Sequence, residues 1–325
     1  MKAYIVDAQI FANYDCSIEK KVFDEAGIEF VIERCKNEEE IAERCADAEA
    51  ILDIYTPMGP KSMDKLKNCK VLVRYGIGYD TFDVEAATQR GIKVCNIPHY
   101  CIPEVATHAS ALILATSRQL LNYTMTIRRG EWNAVKGLQM RRPSSQIVGL
   151  AGFGNIAREV AKRMQALEYQ VVAYDPFLDN EMFKKAGVKR VELEELFKTA
   201  DIISLHTPLT KETEHLVNKD TIAQMKDGVI IVNTARGPIV CQEDLLEALQ
   251  SGKVAAAGLD VFETEPFKDK DHPFCRMDNV ILSPHASFNS LEASAALSQQ
   301  VAETAVAVLK GEVPYNVVNK KELGL

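Results

Sequence analysis

The sequence predicts an α/β protein made of two doubly wound βα domains. In the first hundred residues, short apolar runs of strand length alternate with helical patterns. A second alternation of the same kind begins at Gln146. The chain has 325 residues, more than one ordinary domain holds, so two domains are the natural division. Runs that are apolar on both faces and separated by helices are what a parallel sheet covered on both sides requires.

In chain order, the first region offers strands at 3–6, 29–32, 50–54, 71–75 and 93–96, with helical patterns at 17–26, 38–45 and 84–89. A long Ala-rich apolar segment, 105–121, reads as one helix whose start follows Pro103. Polar and basic residues from 128 to 145 then separate it from the second region. There the strands read as 147–151, 171–174, 202–205, 229–233, 255–259 and 280–282, and six parallel strands suit a complete dinucleotide fold. A helix over 291–309 leads into a polar tail, and no internal repeat or low-complexity segment is visible.

The glycine segment carries the first functional signal. The strand ending Gly149-Leu150-Ala151 runs into Gly152-Phe153-Gly154-Asn155-Ile156-Ala157, a G-x-G-x-x-A turn. A helix follows with Ile156, Val160, Met164 and Leu167 at helical spacing, and the next strand ends on Asp175. Strand, glycine turn, helix, strand and acid in that order define a dinucleotide site. Gly152 permits the tight turn, and Gly154 lets backbone approach a pyrophosphate. The helix amino terminus supplies unpaired N–H groups and a partial positive charge. Asp175 can accept hydrogen bonds from an adenosine ribose and would repel a 2′-phosphate, which favours NAD over NADP. A glycine turn that merely packs a helix on a sheet shares the G-x-G, but not the flanking strands and the acid.

Composition narrows the partners. A net charge of −8 argues against broad nucleic-acid or anionic-membrane binding. The pairs Arg128-Arg129 and Arg141-Arg142 are short enough to be solvated or to make local anion contacts. The amino terminus reads as an opening strand without a signal-peptide layout, and no apolar run approaches the roughly 18–20 residues that span a bilayer. The eight cysteines are dispersed with no C-x-x-C, and the six histidines show no H-x-x-x-H spacing. Buried thiols in a reducing cytoplasm are expected, and no metal.

Strands of the second region end on His206-Thr207-Pro208, Asn233-Thr234-Ala235-Arg236-Gly237, Asp260-Val261-Phe262-Glu263-Thr264-Glu265-Pro266 and Ser283-Pro284-His285-Ala286-Ser287. Ligands of such sheets bind outside the carboxyl ends of the strands. Those segments in that order, together with Arg74-Tyr75-Gly76-Ile77-Gly78-Tyr79-Asp80, resemble the D-isomer-specific 2-hydroxyacid dehydrogenases end to end. The wording is nearest the phosphoglycerate dehydrogenase-like and C-terminal-binding-protein-like branches. The resemblance implies a split arrangement. Residues 1–101 and 290–325 would form a flavodoxin-like substrate domain, and 102–289 an inserted Rossmann NAD-binding domain. It further implies a cytoplasmic homodimer, with the 105–121 helix and the arm after it as dimer-forming elements.

The family's catalytic Arg, Glu and His fall on Arg236, Glu265 and His285. Reducing a 2-oxo acid needs a hydride at the carbonyl carbon and a proton at its oxygen. His285 can donate that proton. Glu265 beside it would favour the imidazolium and fix the ring. Arg236 offers a planar fork of donors for the substrate's carboxylate and keto oxygen. For the cofactor, Asn155 and Ile156 would join Gly152 and Gly154 at the pyrophosphate and Asp175 would take the ribose. Thr207 and Pro208 would border the adenine side, and Thr234, Ala235, Arg236, Asp260 and His285 would approach the nicotinamide. Asp260 is otherwise a structural cap. Backbone N–H groups of Tyr75, Gly76, Ile77 and Gly78 would grip the substrate's carboxylate.

Departures from the family limit the substrate. Tyr55, Tyr75, Tyr100 and Phe288 form either an aromatic wall for an apolar side chain or ordinary core packing. No phosphate-binding cluster is evident, and the chain leaves no room for the regulatory domain of longer phosphoglycerate dehydrogenases. Two other functions fit less well: an NAD(H)-sensing binding protein of the corepressor type, disfavoured by the lack of partner-recognition tails, and a related dehydrogenase acting on formate or phosphite.

Overall fold

A computed structural model describes residues 1–7, 15–134 and 140–325. The chain divides into two compact units, Met1–Tyr100 with Ser290–Leu325, and Cys101–Asn289.

The first unit is built on β1 (Lys2–Ile5), β2 (Glu29–Ile32), β3 (Ala50–Asp53), β4 (Val71–Arg74) and β5 (Lys93–Cys95). They pair in parallel in the order β2-β1-β3-β4-β5, the flavodoxin-type order. Side chains alternate across the sheet. Ala3, Ile5, Leu52, Val71 and Val73 enter one apolar cluster with Phe23, Leu297 and Val301 of the Ser17–Ala26 and Leu291–Leu309 helices. Tyr4, Val6, Ile51 and Leu72 enter the opposite one with Ile41, Met58 and Met63. Burial on both faces explains why β1, β3 and β4 read as continuous apolar runs, whereas the edge strand β2 is only partly buried.

The second unit carries β6 (Ile147–Ala151), β7 (Gln170–Tyr174), β8 (Lys189–Arg190), β9 (Ile202–Leu205), β10 (Val229–Asn233), β11 (Val254–Leu259) and β12 (Val280–Leu282). All are parallel, in the order β12-β11-β10-β9-β6-β7-β8. The chain reverses direction across the sheet at β6, where β9 and β7 flank it, and such a switch point is where this sheet type binds ligands. Six strands were expected and seven are present among the described residues. The extra one, β8, has two residues, both basic, so it shows neither length nor apolar pattern.

The expected 105–121 helix is two. One spans Ile102–Ser117, and a second runs over Leu120–Arg128 after Gln119, which sits in the left-handed region at φ 52. Leu120 and Leu121 keep the sequence apolar across the break, which hides it. Part of the 128–145 arm, residues 135–139, lies outside the described residues. Two of its basic residues have acidic partners: Arg129 pairs with Asp278, and Arg141 with Asp201 at 2.7 Å. Among the described residues no helix is long and apolar enough to cross a membrane.

The register sets the chemistry. Asn233 lies opposite Leu259, and Leu259 opposite Leu282. The carboxyl ends of β10, β11 and β12 are therefore level, and the loops carrying Arg236, Glu265 and His285 leave the sheet along one edge.

Candidate active site

The glycine turn is shaped by a close backbone approach. Gly152 has φ +91, and a Cβ there would lie 2.7 Å from the carbonyl carbon and oxygen of His206. Gly154 faces open space, since a Cβ would meet nothing within 4 Å. The Asn155–Ala166 helix begins immediately after it, with no side-chain cap and no acidic residue in the first turn. The first N–H groups of a helix have no intrahelical partners, so this terminus suits an anion. Ile156 lies in that first turn, and the Asn155 side chain accepts from Arg158.

Asp175 is tied to the same turn. Its Oδ2 accepts from the Phe153 N–H at 2.9 Å and its Oδ1 from the Phe177 N–H at 3.0 Å. At the ends of β9 and β10, the hydroxyls of Thr207 and Thr234 are buried with no hydrogen-bond partner among the described residues. An unpaired buried hydroxyl costs about 1–3 kcal/mol. Two of them beside an open glycine turn and an uncapped helix fit a bound dinucleotide. Pro208 closes the β9 turn, its carbonyl accepting from Thr213 Oγ1 at 2.6 Å.

Beyond β10, buried Asn233 clamps the next turn. Its Nδ2 donates to the Arg236 carbonyl at 2.8 Å, and its Oδ1 accepts from the Ala235 N–H at 3.0 Å. The Arg236 guanidinium donates to the Ala235 carbonyl at 2.8 Å. At the following residue, Gly237, a Cβ would fall 1.8 Å from the Phe262 carbonyl oxygen. Only glycine lets these two backbones touch, so the Arg236 turn is seated directly on the loop carrying Glu265.

Glu265 and His285 meet. Glu265 Oε2 lies 2.7 Å from His285 Nδ1, and its Oε1 accepts from the Phe262 N–H at 3.0 Å. The two side chains are 28% and 30% exposed, open enough to meet a ligand. His285 itself has φ 51. A side chain with a β-carbon in the left-handed region costs of order 1–2 kcal/mol.

Asp260 holds that conformation. Its carbonyl accepts from the His285 N–H at 2.7 Å. Its carboxylate is fully buried and accepts from Ser283 Oγ at 2.5 Å, the Ala286 N–H at 2.9 Å, the Ser287 N–H at 2.9 Å and Ser287 Oγ. Four donors fill a carboxylate's roughly four acceptor positions. Asp260 thus caps the His285 loop, a structural role its place at the strand end also allowed. His108, on the Ile102–Ser117 helix, completes the network with Nε2 at 2.9 Å from Ser283 Oγ.

Asn233, His108, Ser283 and Ser287 are the positioning residues that the sequence did not single out. Asn233, Ser283 and Ser287 lay inside the strand-end segments, whereas His108 had no cue beyond being polar within an apolar helix.

In the first unit, the turn at 75–78 is partly committed to the fold. The Tyr75 N–H donates to the Asp53 carbonyl at 2.8 Å and the Gly76 N–H to the Arg74 carbonyl at 3.0 Å. Among the described residues, the N–H groups of Ile77 and Gly78 have no partner. The expected four-donor turn is therefore a two-donor turn. Tyr75 is buried with its hydroxyl on Glu19 Oε1, and Tyr55 and Tyr100 pack against the same apolar cluster. Tyr75 is therefore core, whereas Tyr55 and Tyr100 are only partly buried. Phe288, in the second unit, meets the His285 ring edge-on at 6.4 Å between centroids.

Comparison with known proteins agrees with this geometry. Residues 110–287 match the family described as "D-isomer specific 2-hydroxyacid dehydrogenase, NAD binding domain". A D-3-phosphoglycerate dehydrogenase from Archaeoglobus fulgidus is 40% identical over 296 residues, covering 90% of this chain and 55% of its own. The chain thus spans little more than half of that relative. A hydroxypyruvate reductase from Thermotoga maritima is 44% identical over 238 residues, covering 73% of this chain and 76% of its own. Among solved structures, a D-lactate dehydrogenase from Aquifex aeolicus, complexed with NAD and lactic acid, superposes with a TM-score of 0.82 at 27% identity, covering 96% of each chain. The chain belongs to the D-isomer-specific 2-hydroxyacid dehydrogenase family, and its second unit contains the family's NAD-binding domain.

Proposed function

We propose that this chain is an NAD-dependent dehydrogenase that interconverts a small 2-oxo acid and the corresponding D-2-hydroxy acid. The observation that carries the reading is the His285–Glu265 contact, made from level strand ends in an NAD-binding domain.

Bound NADH would supply the hydride to the carbonyl carbon. His285 delivers the proton to the carbonyl oxygen and takes it back in the reverse direction. Glu265 engages Nδ1, so Nε2 is the nitrogen that exchanges the proton with substrate. Arg236 presents a planar fork that polarises the keto oxygen and pairs with the carboxylate. In the first unit, the N–H groups of Ile77 and Gly78 are proposed as the carboxylate-binding donors of the 75–78 turn. Gly152, Gly154, Asn155 and Ile156 would face the pyrophosphate. Asp175 would take the ribose, Thr207 and Pro208 the adenine side, and Thr234 and Ala235 the nicotinamide side.

Burial of Tyr75 on Glu19 takes one ring away from an aromatic wall, which supports a small, polar 2-oxo acid. Relatives bearing the names hydroxypyruvate reductase and glyoxylate reductase point the same way. Free cysteines support a reducing, cytoplasmic setting, and exposed Leu120, Ile127 and Trp132 support a homodimer.

The test is loss of NADH absorbance with hydroxypyruvate, glyoxylate, pyruvate and 3-phosphohydroxypyruvate in parallel. Steady turnover of hydroxypyruvate or glyoxylate is expected, and no turnover of any of the four contradicts the reading.

A further inference from the structure

Apart from the catalytic set, His215, Cys241 and Glu263 bring one ligand atom each to within 4.8 Å of one another. They come from three separate loops of the second unit. The His215 N–H donates to the Pro238 carbonyl at 2.8 Å, the Val217 N–H to Ile239 at 3.0 Å and the Cys241 N–H to Val217 at 2.9 Å. The Glu263 N–H donates to the Gln242 side chain at 2.7 Å. The three positions therefore rest on a braced backbone. His215 holds a left-handed conformation at φ 49, which surrounding structure must enforce.

We propose that His215, Cys241 and Glu263 bind a divalent metal ion of the zinc type, with water as fourth ligand.

The donor set selects the ion. Imidazole nitrogen, thiolate and carboxylate oxygen are the three ligand types zinc takes, at about 2.0–2.3 Å in tetrahedral geometry. Hard ions such as magnesium prefer all-oxygen sites. His215 Nε2 and Glu263 Oε1 are 2.9 Å apart, so a modest side-chain rotation opens them around an ion. Binding forms a metal–sulfur bond and releases the thiol proton to solvent. Thiolate and carboxylate then neutralise the two positive charges. Without metal, burial and the neighbouring carboxylates of Asp244 and Glu263 push the Cys241 thiol up, keeping it protonated and inert. His215 and Glu263 are 47% and 33% exposed, which gives an ion access.

The alternative is a surface His–Glu pair with a cysteine nearby by chance. It predicts no role for sulfur.

The experiment is zinc titration of the full chain against a chromophoric chelator, with metal content measured after dialysis. One tight zinc per chain is expected, undisplaced by excess magnesium. Cys241→Ser, His215→Gln and Glu263→Gln should each weaken it at least about tenfold. Cys275→Ser, which removes an exposed thiol elsewhere, should leave it unchanged. Metal-free unfolding midpoints identify any variant that fails to fold, and the remaining two then carry the comparison. Absence of zinc binding in the wild type, or wild-type affinity in Cys241→Ser, overturns the proposal.

Discussion

The two units contain the same device and use it differently. In the first, buried Asp7 follows β1 and accepts from the loop after neighbouring β3: Ile54 N–H at 2.9 Å, Tyr55 N–H at 2.5 Å and Thr56 N–H at 3.0 Å. In the second, buried Asp260 follows β11 and binds the loop after neighbouring β12. Each is a carboxylate clamping the carboxyl end of the adjacent strand's loop. The Asp7 loop presents buried Thr56 and partly buried Tyr55, which packs on the apolar cluster. The Asp260 loop presents His285 in a strained conformation against Glu265. The clamp is thus a scaffold feature of parallel sheets, and chemistry depends on the side chain it holds out. Asp53, beside Asp7, marks a further difference: burial first, and the Asp7 charge second, raise its carboxyl well above the ordinary range. Asp260 instead has four donors around it, with His108 Nε2 3.7 Å from its Oδ1.

The largest effects should come from what the second clamp presents. His285→Ala should lower kcat/KM by about 10²–10⁴-fold, and Arg236→Lys should also lose most activity because the planar fork is lost. NADH affinity, read by fluorescence titration, should change little in both. Wild-type efficiency in either variant removes that residue from the set.

Next come the clamps themselves. Asp260→Ala and Asp7→Ala should each destabilise the chain by at least about 1–3 kcal/mol, measured by urea unfolding, because buried donors lose their acceptor. At saturating substrate, Asp260→Ala should also lose about tenfold to a hundredfold in kcat through misplacement of His285, and Asp7→Ala much less. Equal losses in kcat would erase the contrast between the units.

Cofactor choice is a smaller effect. Asp175 should favour NADH over NADPH by at least about tenfold, roughly 1.4 kcal/mol, and Asp175→Ala should narrow that ratio. Equal efficiency with both cofactors in the wild type contradicts the role.

A separate effect is one of pH. Burial of its ring lowers His206 to about 4. The unfolded chain takes up a proton there from about pH 6.5 downward, whereas the folded chain resists it until near pH 4. Stability should therefore fall as pH drops through that window, by at most about 1.4 kcal/mol per unit from this residue, with no contribution above it. His206→Gln should flatten the difference between urea midpoints at pH 7 and pH 5. An unchanged slope would show that the ring titrates freely.

Much of this was legible because parallel strands buried on both faces write themselves as apolar runs, and because glycine turns and strand-end acids have fixed spacing. The first five strands fall within a residue of their expected bounds. What stayed hidden was tertiary. Gln119 breaks a helix without breaking its apolar pattern. Asp260 reads as a cofactor contact or a structural cap, and its four donors, all from one later loop, become visible only in the fold. Ligands such as His215, Cys241 and Glu263 lie too far apart in sequence for any spacing rule, and so the expectation of no metal rested on local motifs alone.

The central claim is that His285 moves a proton in step with the redox reaction. Its most direct test is the pH dependence of kcat/KM in both directions, with one 2-oxo acid and its D-2-hydroxy acid. Reduction consumes the proton His285 carries, and oxidation needs the ring without it. Rising pH should therefore slow reduction and speed oxidation over the same range, and His285→Ala should abolish both trends. Parallel trends in the two directions, or opposed trends that survive in His285→Ala, would contradict the account.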